Sequence, residues 1–554
     1  MGSLRDTLIG AITAARDAAV AAGELRLPEG AALPPVGLER PARPEHGDYA
    51  SNAAMQLAPV VRDAPLRIAE VLHAHLGSPD AVAEASVAPP GFLNLRLDPG
   101  WVAAQVATIR AEGEAYGRVQ VATPRRINVE FVSANPTGPL TVGNARGAFV
   151  GDLLSRVLEG VGHEVTREYY FNDFNAQVRN LGLSVAARRR GEPIPEDGYR
   201  GEYVAELAAA VPDDLWAQAG SDGADPGELL GRWASERVRA GIERSLADLG
   251  VRFDVWTTEG SLHDEGWVGR AVEQLRGSGK IYESEGATWF RSTEFGDDKD
   301  RVVFRANGAP TYFASDIGYL AQKFSRGFAE LLYLWGEDHH GTVARNRAAA
   351  LALGFDPDAV HYLLMAWVRF VRDGQEIGMS KRAGEFISLD ELLAEIGPDA
   401  ARWYFGSRAP TTGIDFDIEL AKRQSNENPV YYVQYAHARC SSILRNAAAA
   451  GVEARDAQAS VQLRHPAEQA LVKHLLLLPD VVLDAAKQRE THEITRYCLE
   501  AAQLFSQFYR DCRVLSDDPA DADLSAARLA LTDATRLVLA NALGLLGISA
   551  PTSM

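Results

Sequence analysis

The chain has 554 residues, too many for one hydrophobic core, so we expect about three to four structural units. Its 46% hydrophobic and 24% charged residues are typical of a folded globular protein and exclude a disordered one. A net charge of −19 speaks against a general DNA-binding or membrane-surface protein, because both need a broad basic surface. It leaves open an RNA recognised through local basic patches.

The N-terminal stretch "MGSLRDTLIGAITAARDAAV" lacks the basic start, apolar run and cleavage site of a secretory signal. No stretch approaches the roughly 18 uninterrupted apolar residues of a membrane span, so we predict a cytoplasmic protein. Cys440, Cys498 and Cys512 are far apart, odd in number and without a CxxC pair. We therefore expect reduced core cysteines rather than disulfides or a zinc site.

Residues 1–117 predict a compact α+β domain. A helical pattern opens the segment, and Pro89, Pro90 and Gly91 form a turn that leads into an alternating strand over 92–96. The two most distinctive stretches, "RPEHGDYASNAAMQLAP" and "VAPPGFLNLRLD", are also explained by turns and core packing alone.

Residues 118–427 predict an α/β domain. The strand "RINVEFVSAN", the turn "NPTGPLTVGN" and the helix "GAFVGDLLSRVLEGVG" begin a βαβ unit, which "HEVTREYYFND" continues with a second strand. Residues 183–250 are charged and Ala-rich and predict a helical insertion. Residues 428–554 read as successive amphipathic helices without strands, which predicts an all-α bundle.

The glycine-rich turn between the first strand and helix is a candidate phosphate site, since backbone N–H groups and a helix start can face an anion there. The signal is weak alone: GxGxxG and GxxxxGK[ST] are both absent, and a tight βα connection explains the glycines equally well. A second loop over 373–390 carries Lys381 and Arg382, and a cation there suits a leaving pyrophosphate.

Together the turn and the loop resemble the HIGH and KMSKS signatures of class I aminoacyl-tRNA synthetases. The stretches "VEFVSANPTGPL", "PTYFASDIGYL", "YLWGEDHHG", "VRFVRDGQEIGMSKRAG" and "YYVQYAHAR" resemble bacterial-type arginyl-tRNA synthetases in order and spacing. The resemblance implies an α/β multidomain protein: an N-terminal tRNA-contacting α+β domain, a class I Rossmann-type catalytic domain with an insertion, and a C-terminal all-α anticodon-binding bundle.

The resemblance also implies an arginine site formed by five residues: Glu130, Ser133, Asn135, Tyr312 and Asp316. The chemistry agrees, because a carboxylate can accept two N–H groups of a guanidinium at once. An isolated Asp316 is equally explained as the cap of the helix "IGYLAQKF". Glu130 is harder to explain structurally, since it interrupts an apolar strand.

The first signature departs from the family pattern His-x-Gly-His, because Thr141, Val142, Gly143 and Asn144 stand there. A Thr hydroxyl and an Asn amide can still donate to phosphates, and tryptophanyl-tRNA synthetases resemble this form. The second signature lacks its first lysine, and "NPTGPL" offers no substitute lysine. We therefore assign catalysis to Thr141, Asn144 and Lys381.

Further roles follow from the resemblance. ATP binding is expected at eight residues: Gly138, Gly143, Gly336, Asp338, His339, Met379, Ser380 and Lys381. Contacts with tRNA are expected at four: Phe92, Asn94, Tyr435 and Arg439. "GEDHHG" predicts no metal site, since adjacent histidines in a strand point to opposite faces and no third ligand is spaced for zinc.

The expected reaction joins L-arginine to tRNA(Arg) through arginyl-adenylate, with ATP as a substrate, Mg²⁺ present and no tightly bound cofactor. The resemblance adds that bound tRNA is usually needed for adenylate formation. We expect a monomer that binds neither DNA nor membrane. Two alternatives stay open because of the altered first signature: a paralogue that activates arginine for a non-translational acceptor, and a tRNA-binding protein without catalysis.

Overall fold

The computed structural model describes residues 3–173, 175–372, 374–376, 388–456 and 461–554. Met379, Ser380 and Lys381, in the predicted second-signature loop, lie outside the described residues. The architecture is the predicted one, an N-terminal α+β part, a central parallel sheet with helices and a C-terminal helical part. The predicted fold class is confirmed.

The N-terminal part packs four helices on a small antiparallel sheet with strand order β1-β3-β2. Its elements are α1 (Leu4–Ala21), β1 (Tyr49–Ser51), α2 (Ala53–Val61), α3 (Pro65–His75), β2 (Val82–Ala88), β3 (Phe92–Leu97) and α4 (Pro99–Glu112). The first helix begins at a capping box in which Ser3 and Asp6 satisfy each other's backbone N–H groups. Leu4, Leu8 and Ile12 then recur at helical spacing and are buried.

The central part contains three sheets. Its strands are β4 (Arg126–Glu130), β5 (Glu164–Phe171), β6 (Val255–Thr258), β7 (Ile281–Ser284), β8 (Ala287–Phe290), β9 (Arg301–Phe304), β10 (Glu330–Gly336), β11 (Val360–Met365), β12 (Val368–Arg372), β13 (Gln375–Glu376) and β14 (Ile414–Asp417). The main sheet is parallel, with strand order β11-β10-β4-β5-β6. In such a sheet, ligands bind where the carboxyl ends of the strands meet.

The helices of the central part cover that sheet and form the insertion. They are α5 (Val142–Gly160), α6 (Ala176–Arg190), α7 (Glu202–Ala210), α8 (Asp213–Ala219), α9 (Pro226–Asp248), α10 (Glu259–Asp264), α11 (Trp267–Gly277), α12 (Tyr312–Ser325), α13 (His340–Ala352), α14 (Leu389–Ile396), α15 (Pro398–Gly406) and α16 (Ile418–Lys422). Gly151 lets α5 lie against the sheet, because a Cβ there would be 2.2 Å from the Phe131 ring. This close approach places the middle of α5 against the residue that follows β4.

The C-terminal part is a helical bundle of α17 (Pro429–Ala449), α18 (Pro466–Leu475), α19 (Leu478–Gln488), α20 (His492–Asp511) and α21 (Ala522–Leu546). The segment Pro519–Leu546 is long and apolar enough to cross a membrane by length and composition alone, and 61% of its most apolar window is buried inside the protein. That burial is typical of a core helix, and α21 packs against α17 and α20. All three cysteines are free and buried, in agreement with the sequence.

Candidate active site

The predicted arginine residues lie at the carboxyl end of β4, in the turn that follows it and on the first turns of α12. Asp316 is the fifth residue of α12, and the helix is capped by Thr311, whose hydroxyl accepts from the N–H of Ala314. The alternative interpretation of Asp316 as a helix cap is therefore wrong. Tyr312, one turn earlier on α12, is 57% exposed at the rim of the same site.

The Asp316 carboxyl has a pKa well above that of an ordinary aspartate. Burial raises its pKa to about 7, although the Arg345 guanidinium, 4.0 Å away, opposes the shift. Nearby Glu259 and Glu130 add to the rise, because their negative charges disfavour a further carboxylate. A carboxyl group in this state is poised to ionise against an arriving cation.

Glu259 is a functional candidate that sequence reasoning missed. It begins α10 directly after β6, is 3% exposed, and accepts a 2.8 Å hydrogen bond from Ser315 Oγ at Oε1. Its Oε2 is buried and accepts no hydrogen bond of normal length within the described ranges. Burial raises the pKa of Glu259, and the nearby Ser315 and Tyr170 hydroxyls oppose the rise. The signal available in the sequence was its place at the end of a sheet strand, because parallel strands deliver their end residues to one edge.

Glu130 is engaged by protein groups on both oxygens. Lys323 Nζ donates to Oε2 over 2.6 Å, and Ser133 Oγ donates to Oε1 over 3.1 Å. Val132 and Ser133 have positive φ values of 66° and 41°, so the chain turns sharply after β4. Asn135 follows this turn and donates through Nδ2 to Gln177 Oε1 over 2.7 Å. All five predicted arginine residues are thus in the region, but Asp316 offers the carboxylate least engaged by protein.

Thr141 and Asn144 form the start of α5 and bind each other. Asn144 Oδ1 accepts from the Thr141 hydroxyl over 3.0 Å and from the Thr141 backbone N–H over 3.3 Å. The Thr141 hydroxyl proton is therefore used inside the helix start, whereas the Asn144 amide donors have no partner among the described residues. Gly143 lies between them and is exposed. Asn144 is thus better placed than Thr141 to donate to a bound phosphate.

The first described residues after the predicted second-signature loop, Ser388 and Leu389, contact the first signature. Thr141 forms an antiparallel bridge with Ser388, and the Leu389 N–H donates to the Leu140 carbonyl over 2.9 Å. Ser388 caps α14 just after the loop that carries Lys381 in the sequence. The chain just after the predicted second-signature loop is thereby joined to the first signature.

The remaining predicted ATP residues differ in what surrounds them. A Cβ on Gly138 would lie 3.2 Å from the Tyr203 ring, so this glycine has a packing explanation. Gly336 ends β10, and Asp338 and His339 follow it as exposed side chains 3.7 Å apart. They lie beside the end of β11, since Gly336 pairs with Met365 in the sheet.

Comparisons with known proteins identify the same family across nearly the whole chain. Three family models match: the arginyl tRNA synthetase N terminal domain over 4–97, the class I (R) tRNA synthetase catalytic domain over 105–192 and 232–403, and the DALR anticodon binding domain over 433–554. The arginine–tRNA ligase of Desulforudis audaxviator is 46% identical, with 99% of this chain and 97% of the relative covered. The chain belongs to the arginine–tRNA ligase family. The Moorella thermoacetica member is 45% identical over 99% of this chain and 98% of its own.

The fold agrees with the family as well. Thermus thermophilus arginyl-tRNA synthetase superposes with a TM-score of 0.79 over 100% of both chains at 24% identity. Within the arginine–tRNA ligase framework, Tyr435 and Arg439 fall inside the matched anticodon binding domain. Phe92 and Asn94 fall inside the matched N-terminal domain, where Asn94 is buried in the middle of the sheet. Its burial argues against a direct contact with RNA.

Tyr435 and Arg439 line a cleft of about 210 Å³ on the bundle. The Arg439 guanidinium lies 4.6 Å from the Tyr435 ring centroid and 5.1 Å from that of Tyr509, and its Nη2 donates to the Tyr435 hydroxyl over 2.9 Å. Stacked arginine and tyrosine side chains are typical binding groups for unpaired bases.

Among described residues, one set of side chains, Glu490, His492 and Glu493, brings possible metal ligands within 4.8 Å, at the start of α20.

Proposed function

We propose that the protein activates L-arginine with ATP and transfers it to tRNA(Arg). The arginine carboxylate attacks the α-phosphate, which forms arginyl-adenylate and releases pyrophosphate. The arginyl group then passes to the terminal ribose of the tRNA. The observation that best supports this reading is the pair of carboxyls near the strand ends with raised pKa values, the half-buried Asp316 and the buried Glu259.

The two carboxyls suit a guanidinium. Glu259 Oε2 is a buried acceptor with no hydrogen bond of normal length in the described part of the chain, and Asp316 ionises readily once a cation approaches. Leaving such acceptors unpaired is costly, which gives strong discrimination against amino acids without the fork of N–H donors. Ser133 and Asn135 would hold the α-amino end from the turn after β4.

The phosphates of ATP would lie at the start of α5. Gly143 leaves room there, the helix start supplies positive potential, and the Asn144 amide can donate. Mg²⁺ would arrive bound to ATP as part of the substrate. Lys381 would stabilise the charge that develops on the leaving pyrophosphate. The protein's contribution is thus positioning and charge stabilisation. We also propose a cytoplasmic monomer.

Pyrophosphate exchange tests this proposal directly. Purified protein with arginine and ATP should exchange labelled pyrophosphate into ATP, and cognate tRNA should increase or permit the exchange. Exchange without any aminoacylation would favour the paralogue that uses another acceptor. No exchange even with tRNA would favour the non-catalytic tRNA-binding protein.

Lys381→Ala should slow adenylate formation by about 10²- to 10³-fold, because the lost charge acts mainly in the transition state. The KM for arginine should stay within about twofold, since uniform binding is not removed. Pre-steady-state adenylate formation measures the first effect and the arginine titration the second. Lys487→Ala, an exposed lysine of α19, is the control. Equal losses in rate and arginine affinity would contradict the role of Lys381.

Arg439→Ala should raise the KM for tRNA by about 10-fold, because a stacked base loses its platform. The KM values for arginine and ATP at saturating tRNA should not change. Steady-state aminoacylation with varied tRNA measures the effect. Arg455→Ala removes an exposed bundle arginine whose ion pair with Asp523 spans 3.8 Å and serves as control. Equal effects of both substitutions would show that charge, rather than the stacked pair, matters.

A further inference from the structure

One face of α12 connects the arginine pocket with the interior of the sheet. Tyr312, Asp316, Tyr319 and Lys323 follow one another at spacings of four, three and four residues, so they share that face. The first two belong to the pocket. The last two are buried below it, where Tyr319 donates a 2.8 Å hydrogen bond to Glu168 Oε1. The contacts of Tyr319 and Lys323 therefore determine the position of Tyr312 and Asp316 in the pocket.

Lys323 is the deepest charged group of this face. Its side chain is 0% exposed, and its ammonium lies 4.3 Å from the Tyr319 ring centroid and 4.1 Å from that of Tyr333. Its hydrogen bond goes to Glu130 Oε2 at 2.6 Å. A buried ammonium held by one carboxylate and two ring faces has a narrow choice of positions, because moving it would leave a charge unpaired in the interior.

Glu130 links the buried Lys323 of α12 to the turn on the opposite side of the pocket. Its other oxygen accepts from Ser133 Oγ, and Ser133 Oγ in turn accepts from the Tyr170 N–H over 3.1 Å. These bonds hold the left-handed turn at Val132 and Ser133, a conformation that is costly for a β-branched valine. The series Lys323, Glu130 and Ser133 thus joins the helix that carries Asp316 to the turn that leads to Asn135.

We propose that this series fixes the length of amino acid that the pocket accepts, with Lys323 as a positioning residue. The inference rests on the proposed function, in which Asp316 holds the guanidinium and the turn holds the α-amino group. The span between the two is set by the Lys323–Glu130 contact, which positions Ser133 and the turn that touch the substrate. L-homoarginine, which keeps the guanidinium and adds one methylene, probes length alone.

Lys323→Met keeps the side-chain length and removes the ammonium. We expect kcat/KM for arginine in pyrophosphate exchange to fall by about 30-fold, because small displacements of positioned groups are costly. The preference for arginine over homoarginine should fall by about 10-fold, the scale on which pockets discriminate one methylene. The KM for ATP should be unchanged.

Arg326→Met is the matched control. Arg326, whose side chain is 24% exposed, lies three residues further along and donates to Glu168 Oε2 over 2.6 Å. Its loss breaks an ion pair to a buried carboxylate that also accepts from Tyr319 but lies outside the series. Both variants should lower thermal stability, but only Lys323→Met should change the arginine to homoarginine ratio. An equal ratio in Lys323→Met and wild type would show that Lys323 is merely structural and would overturn the proposal.

Glu130→Gln is a second test variant, which keeps the shape of the Glu130 side chain and removes its charge. Combined with Lys323→Met it leaves no unpaired buried charge, so stability should recover while the weakened length preference persists. A double variant with the wild-type ratio would overturn the proposal. If wild-type protein fails to activate arginine at all, the proposed function fails instead, so the two failures are distinguishable.

Discussion

Asp316→Asn should nearly abolish arginine activation and at the same time stabilise the free protein. We expect kcat/KM for arginine to fall by about 10³- to 10⁴-fold, because a neutral amide cannot form the charge-assisted fork with a guanidinium and presents N–H donors to it. The loss should appear in pyrophosphate exchange as a raised KM for arginine, with the KM for ATP little changed. Glu259 alone would not replace the missing charge.

Asp316→Asn should raise stability while it lowers activity, because the pKa of the Asp316 carboxyl is raised in the folded protein. The carboxyl titrates near its ordinary value of 3.8 when unfolded and at about 7 when folded. Between these values the folded protein binds the additional proton, so stability falls as pH rises through that window and stays low above it. Asparagine does not ionise, so the variant should have the higher Tm at pH 8 and no advantage below pH about 4.

Thermal melts of wild type and variant at these two pH values measure this difference. Asp358→Asn, which changes an exposed aspartate before β11, is the control and should alter neither Tm nor activity. Arginine added to wild type should raise Tm at pH 8, since the ligand supplies the missing counter-charge. A lower Tm for Asp316→Asn, or arginine activation that survives it, would contradict the assignment of Asp316.

The order of elements was predictable because local patterns specify it. The alternation of β4, a glycine turn and α5 requires only a strand, a turn and a helix signal, and each is present between residues 126 and 160. The helical C-terminal part likewise follows from amphipathic spacing. Gly151, by contrast, was one glycine among many in the sequence, and only the structure shows that its missing Cβ makes room for Phe131.

The candidate site was predicted in part. Residues carried by recognisable motifs, such as Tyr312 and Asp316, could be named from the sequence and stay predictions, whereas the candidate Glu259 was not named because its short surrounding sequence has no pattern of its own. The partner of Glu130 is 193 residues away in the sequence, on α12, so no local signal indicates it. Likewise, the mutual bonds of Thr141 and Asn144 depend on the rotamers at a helix start, which spacing alone does not specify.

Arg402→Met should lower the free energy of local opening around Arg402 by about 3 to 5 kcal/mol, the usual cost of breaking a buried ion pair from one side. Arg402 is 4% exposed and donates to Asp152 Oδ2 of α5 over 2.8 Å. It also donates to the Leu249 carbonyl over 2.9 and 3.0 Å and to the Leu546 carbonyl over 3.2 Å. The variant removes one of the positive charges that balance the buried Asp152 carboxylate. It also removes the hydrogen-bond donor shared by the Leu249 and Leu546 carbonyls.

Those two carbonyls belong to the ends of α9 and α21, which come from the insertion and the bundle. A positive charge there complements both helix dipoles. Glycines with positive φ follow each end, Gly250 and Gly547, and a Cβ on Gly547 would lie 2.3 Å from Arg402 Nη1. The guanidinium therefore fills a junction at which the insertion, the bundle and the helix of the first signature meet.

Hydrogen exchange is the measurement that tests this junction, because a multidomain chain does not unfold in one step. In Arg402→Met, amides at the last turns of α9 and α21 should lose protection together, along with the middle of α5. Arg156→Met is the control: Arg156 also pairs with Asp152, over 2.7 Å, but its side chain is 33% exposed. It should cost about 1 kcal/mol or less. Loss of protection confined to one of the three helices would show that Arg402 stabilises a single element and not the junction.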